Sequence, residues 1–238
     1  INGELAAENG KMVMDIPKAD YPEYVRKTVH LPQSLKPEDF SIPAPHNCGP
    51  DVRVRVIEAI EAKAGTRSGR YILPVAEGRV LVDKQQDIIK VAVIERHKAT
   101  GTIGKGFVKG FGISVGAVAS TVAHDSHNLI IIGVNNDDMA FAGNVLAETG
   151  GGITVVRNKQ IIELLPLPVA GLMSDEPAGI MAKRVERMDN AWKQLGCSMV
   201  SPFMTMALLA LPVIPELRLT NRGLVDTVNF KFTDLFAV

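Results

Sequence analysis

The sequence has little cysteine, few aromatic residues and no excess of either charge. The two cysteines, Cys48 and Cys197, lie far apart and form no metal-spaced pair, so neither a disulfide framework nor a zinc motif is predicted. Aromatic residues make up 5% of the chain, and 26 lysines and arginines balance 26 aspartates and glutamates. This composition argues against a nucleic-acid-binding surface and favours the reducing cytoplasm as the location.

Long hydrophobic runs are also absent from the sequence, and no targeting segment is predicted. No apolar run reaches about 18 residues, so no membrane span is predicted. The chain opens Ile1-Asn2-Gly3-Glu4, which is no signal peptide, and because it lacks an initiator methionine we expect it to begin inside a longer polypeptide. Its 238 residues, 46% of them hydrophobic, suffice for one large domain or two small ones with a sizeable core.

Turn dipeptides and prolines indicate that the chain changes near residue 50 from a hairpin and an extended connector to regular secondary structure. Two Asn-Gly dipeptides, at residues 2–3 and 9–10, predict a short β hairpin over residues 1–14. Residues 15–50 carry seven prolines and few periodic apolar positions, so an extended connector is predicted there. Residues 51–238 are predicted to form a separate unit of regular secondary structure.

Apolar and alternating runs predict more strands than helices after residue 50. Strands are predicted over residues 52–56, 71–75, 80–82, 88–95, 115–123, 129–134, 153–156 and 161–165. Amphipathic patterns predict helices over 135–149, with Asn136 as the cap, and over 177–195, whereas 203–211 fits either a helix or a buried strand. The predicted fold class is therefore α+β, mainly β-sheet with two to three packed helices.

Residues 98–112 are unusually rich in glycine, with five glycines in fifteen positions. They lack the spacing of a Walker phosphate loop and the third glycine of a dinucleotide fingerprint. A flexible loop, or a lid over a site, is predicted instead.

The most informative motif is a polar run that separates two predicted buried strands. It consists of His124, Asp125, Ser126, His127 and Asn128. Burying so many polar groups at a strand end is unfavourable unless they bind one another, the backbone or a ligand. Three interpretations remain: metal ligands, of which the two histidines supply at most two; a catalytic acid or base; or a hydrogen-bonded structural turn.

A second candidate, Glu95-Arg96-His97, ends the predicted strand 88–95. Residues two apart on a strand face the same side, so Glu95 and His97 are predicted to reach one cleft while Arg96 faces away. The alternative is a solvated strand end. Beside the first motif, this segment offers a third histidine and a second carboxylate.

Five separated motifs also carry a family resemblance. They are Gly110-Phe-Gly112, the run from Gly116 to Asn128, Leu165-Pro-Leu-Pro168, Gly171-Leu-Met-Ser174 and the run from Leu211 to Leu217. In this order they resemble the C-terminal part of bacterial adenine deaminases, which belong to the amidohydrolase superfamily. The resemblance extends from about Asp51 to Phe236, and the hairpin of residues 1–14 is similar to strands of the β-sandwich that follows the catalytic barrel in that superfamily.

The resemblance implies a metal-dependent hydrolase of purine salvage that converts adenine and water to hypoxanthine and ammonia. Manganese or iron would activate the water. The metal ligands implied by the family lie in an N-terminal (β/α)₈ barrel of the same protein, which this sequence does not contain. No ligand can therefore be carried over, and the isolated chain is expected to hold no cofactor and to be inactive.

Residue roles and partners follow from the resemblance in the same way. The motif of residues 124–128 is expected to lie near the substrate pocket, with Glu95 and His97 as neighbours. Adenine, the barrel and further copies of the protein in a homo-oligomer are the expected partners. Two alternatives stay open: a structural or oligomerisation module without catalytic residues, and an autonomous metal enzyme that uses His97, His124 and His127.

Overall fold

A nine-stranded mixed β-sheet occupies the centre of the computed structural model, which describes residues 3–15, 17 and 19–237. In chain order the strands are β1 (Ala7–Glu8), β2 (Lys11–Met12), β3 (Asp51–Ala59), β4 (Thr66–Ala76), β5 (Arg79–Val80), β6 (Ile88–Ile94), β7 (Ile103–Lys109), β8 (Ala117–Ser120), β9 (Leu129–Gly133), β10 (Gly152–Arg157), β11 (Gln160–Pro166), β12 (Leu217–Thr220), β13 (Gly223–Asp226) and β14 (Lys231–Phe232). The large sheet has the spatial order β11-β10-β8-β9-β6-β7-β3-β4-β5. Its neighbours are antiparallel except β3 and β7, which are parallel.

Both faces of the large sheet are covered. The helices are α1 (Asn136–Thr149), α2 (Ala178–Gln194) and α3 (Pro202–Leu208), and short 3₁₀ helices span Glu23–Val25 and Pro37–Phe40. Leu129 and Ile131 of β9 pack towards α1, whereas Ile130 and Ile132 pack towards α2, α3 and the small sheet β12-β13-β14. Burial on both faces explains why the central strands are continuous apolar runs rather than alternating patterns.

The predicted fold class is confirmed: strands dominate, and three α-helices pack on them. The first hairpin forms from β1 and β2 across Asn9-Gly10, both in the left-handed region that such two-residue turns require. Asn2, at the other predicted turn, lies outside the described residues. Residues 203–211, which fitted either a helix or a strand, contain most of α3.

The prediction of a flexible loop over residues 98–112 is wrong. Residues 103–109 form β7, which pairs with both β6 and β3 inside the large sheet. The glycine content has a packing cause, because a Cβ at Gly104 would lie 1.9 Å from the Thr220 carbonyl oxygen. The small sheet therefore packs directly on the β7 backbone, and only glycine leaves room for it.

Two local details also differ from the sequence-based predictions. Asn135, not Asn136, caps α1, since its side-chain oxygen accepts a 2.8 Å hydrogen bond from the Asp138 amide. The strands β12, β13 and β14 had not been predicted. After them, the chain returns to β3, where the Arg55 amide donates to the Leu235 carbonyl and the Ala237 amide donates to the Arg53 carbonyl.

The proline-rich segment before β3 packs on the same sheet. Leu35 and Phe40 are buried in the core beneath α1, and the Asn144 side chain of α1 both donates to and accepts from the Leu35 backbone. The division of the chain at residue 50 stays a prediction. Within the described ranges, no helix has the length and apolar character needed to cross a membrane.

Candidate functional site

The polar motif forms the turn between β8 and β9, here called the 124–128 turn. Its backbone is fixed at both ends: the His127 amide donates to the Ala123 carbonyl at 2.7 Å, and the His124 amide donates to the Ala207 carbonyl of α3 at 3.1 Å. His127 has a φ of 49°, a left-handed conformation that is uncommon for a residue with a side chain. The turn thus joins the large sheet to the helical layer.

The His127 ring has a defined protonation pattern. The Ala123 amide donates a 3.2 Å hydrogen bond to His127 Nδ1, so Nδ1 is an acceptor and the neutral ring carries its proton on Nε2. Burial, with smaller contributions from the nearby His124 and Arg96 charges, lowers the pKa of His127 below its ordinary value. The ring is therefore neutral at physiological pH and suited to donate a hydrogen bond from Nε2.

The two imidazoles of the turn lie against each other. Their ring centroids are 5.3 Å apart and their planes are nearly perpendicular. Both side chains are half-buried, whereas Asp125 and Ser126 at the tip of the turn are exposed. Hydrogen-bond donors, acceptors and a carboxylate are thus brought within one short turn.

Arg96 is buried and contacts the 124–128 turn, whereas the strand alternation had predicted that it faces away. The strand β6 ends at Ile94, so alternation does not extend to residue 96. The Arg96 Nε donates to the His127 carbonyl at 2.5 Å, and its backbone amide donates to Asn128 Oδ1 at 3.4 Å. Burial lowers the pKa of Arg96 to about 10, against the opposing effect of the Glu95 charge, so the guanidinium stays charged at neutral pH.

Glu95 and His97 do not converge on one cleft as the sequence had predicted. The Glu95 carboxylate turns back onto its own loop and accepts hydrogen bonds from the amides of His97, Lys98 and Thr100 and from the Thr100 hydroxyl. Although burial raises its pKa, these four bonds outweigh burial and hold the pKa below the ordinary value. His97 is exposed, but its Nε2 bonds to the Ser126 carbonyl at 2.8 Å.

Asn128 links the turn to the small sheet. Its side-chain Nδ2 donates to Asn221 Oδ1 at 3.3 Å, and Asn221 Nδ2 in turn donates to the Thr102 hydroxyl at 2.9 Å. Thr102 contacts Thr100, which binds Glu95. Both candidate motifs therefore belong to one polar network, which includes Asn221, a residue that no local sequence signal had indicated.

An open cleft of about 470 Å³ lies beside the turn. Asp125 and Ser126 line its polar side, and Val213, Phe230 and Phe232 line its apolar side. Phe230 is 77% exposed and Phe232 is 52% exposed, and the Arg222 guanidinium lies 5.1 Å from the centre of the Phe232 ring. Sequence reasoning missed this wall, because Phe230 and Phe232 lie in the hairpin of β13 and β14, which had not been predicted.

The residues near the turn do not fit a metal site. In the part of the chain that the structure describes, no three His, Cys, Asp or Glu side chains are grouped so that they could hold a metal ion. The lone pair of the neutral His127 ring is already used, because Nδ1 accepts from the Ala123 amide and Nε2 carries the proton, so this ring has no nitrogen free to bind a metal. The interpretation of His97, His124 and His127 as an autonomous metal centre is not supported.

Comparison with known proteins places the chain in a family. The sequence model of the adenine deaminase C-terminal domain matches residues 63–231. Similar proteins include adenine deaminases of Moorella thermoacetica, 55% identical over 235 residues, of Clostridium botulinum strain ATCC 19397, 50% identical over 236 residues, and of Mesorhizobium japonicum, 44% identical over 235 residues. These matches cover 98–99% of this chain but only 39% of each relative. The chain therefore belongs to the adenine deaminase C-terminal domain family.

Proposed function

We propose that this chain is the C-terminal part of an adenine deaminase, the hydrolase that converts adenine and water to hypoxanthine and ammonia in purine salvage. The named activity of its relatives supports this assignment. The structural observation that supports this proposal is that the 124–128 turn lies at the rim of an open cleft with an exposed aromatic wall. We propose that an N-terminal catalytic barrel of the same protein covers this cleft.

The cleft has the composition of a docking surface. Large side chains such as Phe230, Phe232 and Val213 expose apolar area next to the charged groups of Arg222 and Asp125. Apolar and aromatic centres with polar rims are typical of protein interfaces. Most of each relative's length lies outside the matched region, so the family has a partner segment within the same polypeptide to occupy this surface.

In the intact enzyme the turn would contribute hydrogen bonds rather than metal ligands. His127, neutral with its proton on Nε2, would donate to a substrate or product atom, while the Asp125 carboxylate would accept from an N–H group. The activating metal, manganese or iron, would be held by the barrel and would supply a hydroxide at neutral pH. Placement in the cytoplasm and assembly into a homo-oligomer belong to the same proposal.

A chimera tests the proposal directly. The matching region of the Moorella thermoacetica enzyme is replaced by this chain, and adenine deamination is measured in the chimera and in the isolated chain. We expect activity in the chimera only, with His124→Ala or His127→Ala reducing kcat by about 100-fold, as loss of a positioned hydrogen-bond donor does. An inactive but folded chimera would contradict the assignment.

The internal hydrogen bonds of Glu95 and Arg96 favour a second candidate, a structural module whose polar network holds a tight turn. This candidate predicts that His124→Ala and His127→Ala lower the melting temperature while kcat per folded molecule is preserved. Thermal melts of the chimera variants, set beside their kinetics, separate the two roles.

A further inference from the structure

Arg96 is a buried charged residue to which the proposed function assigns no role. Its side chain is 1% exposed, and its three nitrogens donate to carbonyl oxygens of three different segments. Nε bonds to His127 at 2.5 Å, Nη1 to Thr28 at 2.8 Å, and Nη2 to Ala170 at 3.1 Å; Nη1 also bonds to the Thr28 hydroxyl at 3.0 Å. A single rigid guanidinium therefore fixes the relative positions of all three segments.

The acceptors of Arg96 show that it is not a simple ion-pair residue. All four are uncharged oxygens, so the geometry of the planar fork, rather than attraction to one carboxylate, determines the arrangement. The packing is equally restrictive, because a Cβ at Gly171 would lie 3.0 Å from Nη1 and 3.3 Å from Cζ. Glycine at position 171 leaves the room that the guanidinium occupies.

The hydrogen bond from Arg96 to the His127 carbonyl influences, through the backbone, which nitrogen of the His127 ring carries the proton. The Arg96 Nε holds the His127 carbonyl while the His127 amide donates to Ala123, and these two bonds support the left-handed φ of 49°. That backbone places Nδ1 where the Ala123 amide can donate to it. A shift of the carbonyl would remove the geometry that determines which ring nitrogen carries the proton.

We propose that Arg96 is the positioning residue of the 124–128 turn: by holding the His127 carbonyl against the Thr28 and Ala170 segments, it fixes the imidazole as the Nε2–H donor. The effect on the isolated chain stands by itself, and only the effect on deamination rests on the proposed function. Arg96 acts through His127 and touches no reacting atom.

The first test measures the His127 tautomer in the isolated chain by imidazole nitrogen NMR. Arg96→Lys keeps the charge and removes the fork, and Arg218→Lys is the matched control. Arg218 is likewise buried, and its guanidinium donates to carbonyls of Ala64, Leu208, Ile214 and Pro215. We expect Arg96→Lys to replace the single Nε2–H form by a mixture of tautomers, and Arg218→Lys to leave the His127 signals unchanged.

The same spectra, recorded over a range of pH, measure the titration of His127. The titratable and charged groups that face its ring are His124, Arg96, Asp125 and His97. The midpoint of His127 is expected to rise in Arg96→Lys, since a loosened turn relieves the burial of the ring. If Arg96→Lys does not fold, Thr28→Val removes one acceptor only and should produce a smaller change in the same direction. An unchanged tautomer in the folded variant, or an equal change in Arg218→Lys, would overturn the proposal.

The second test measures kinetics in the chimera with the Moorella thermoacetica enzyme. Arg96→Lys should lower kcat by about tenfold or more while KM changes by about twofold or less, because a displaced donor affects the transition state more than substrate binding. An unaltered kcat together with an altered tautomer would show that His127 geometry has no catalytic role. A chimera without any activity would refute the proposed function and leave the NMR result on Arg96 intact.

Discussion

The Glu95 carboxylate stabilises the loop after β6 through four hydrogen bonds, three of them from backbone amides. We expect Glu95→Gln to lower the free energy of unfolding by about 1–2 kcal/mol at neutral pH, since hydrogen bonds to a charged group are stronger than neutral ones. Urea unfolding of this variant and of the exposed control Glu186→Gln measures the difference. Equal stability of the two variants would contradict this role.

The pH dependence of that difference follows from the lowered pKa of Glu95. A carboxylate with a depressed folded pKa stabilises the protein above its ordinary pKa of 4.5, and this contribution is lost as the pH falls through the folded pKa. Wild type and Glu95→Gln should therefore differ by a constant amount between about pH 6 and 8. The difference in unfolding free energy between the two proteins should become smaller as the pH is lowered further.

At the scale of single residues, the sequence predicted the candidate site only in part. Local composition identified the 124–128 turn, because five adjacent polar residues between apolar runs are conspicuous. It could not identify Arg96 as the central contact, since the relevant partners, Thr28 and Ala170, are distant in sequence. Side-chain direction beyond a strand end depends on the loop that follows, which alternation does not describe.

The strand β7 shows how close packing between elements can depend on one missing side chain. A Cβ at Gly104 would lie 1.9 Å from the Thr220 oxygen, whereas a Cβ at Gly106 would meet its nearest neighbour, Leu224, at 3.5 Å. We expect Gly104→Ala to lower the free energy of unfolding by about 1–3 kcal/mol, and Gly106→Ala to change it by less than about 1 kcal/mol. Chemical unfolding of both variants checks this, and similar effects would show that the small sheet can move away.

Elements with a strong local pattern were predicted from the sequence, and those determined by their neighbours were not. The helix α1 has a cap, acidic first-turn residues and a terminal glycine, so residues 135–150 alone predicted it to within one residue, the difference being that Asn135 rather than Asn136 is the cap. The glycine spacing of β7 resembles that of a loop, and only the small sheet packed above it explains a strand there. Glycine content therefore indicated flexibility where the cause was close contact.

At the scale of the whole molecule, the exposed aromatic wall of the cleft predicts where the proposed N-terminal barrel binds. Phe230 follows a closed turn, in which Asp226 accepts hydrogen bonds from the Val228 and Asn229 amides and from the Asn229 side chain. Its 77% exposure means that Phe230→Ser should change the stability of the isolated chain by about 0.5 kcal/mol or less. Tyr24→Ser, at a residue that is 83% exposed, is the matched control.

Binding to the separately produced N-terminal remainder of the Moorella thermoacetica enzyme, measured by calorimetry, tests this surface. Phe230→Ser should weaken binding by about tenfold or more, as loss of an aromatic anchor does, and Tyr24→Ser should have no effect. Equal dissociation constants for the two variants would place the interface elsewhere on the molecule.

The return of residues 235–237 to β3 has a consequence for biosynthesis. Arg55 also donates from its guanidinium to the Asp234 carbonyl, 179 positions further along the sequence. A nascent chain on the ribosome therefore leaves the stretch of β3 around Arg53 and Arg55, which β7 does not pair, uncovered until residues 235–237 have been translated. During that interval this unpaired stretch is available to chaperones or to another chain, so removal of residues 235–237 would favour aggregation over native assembly.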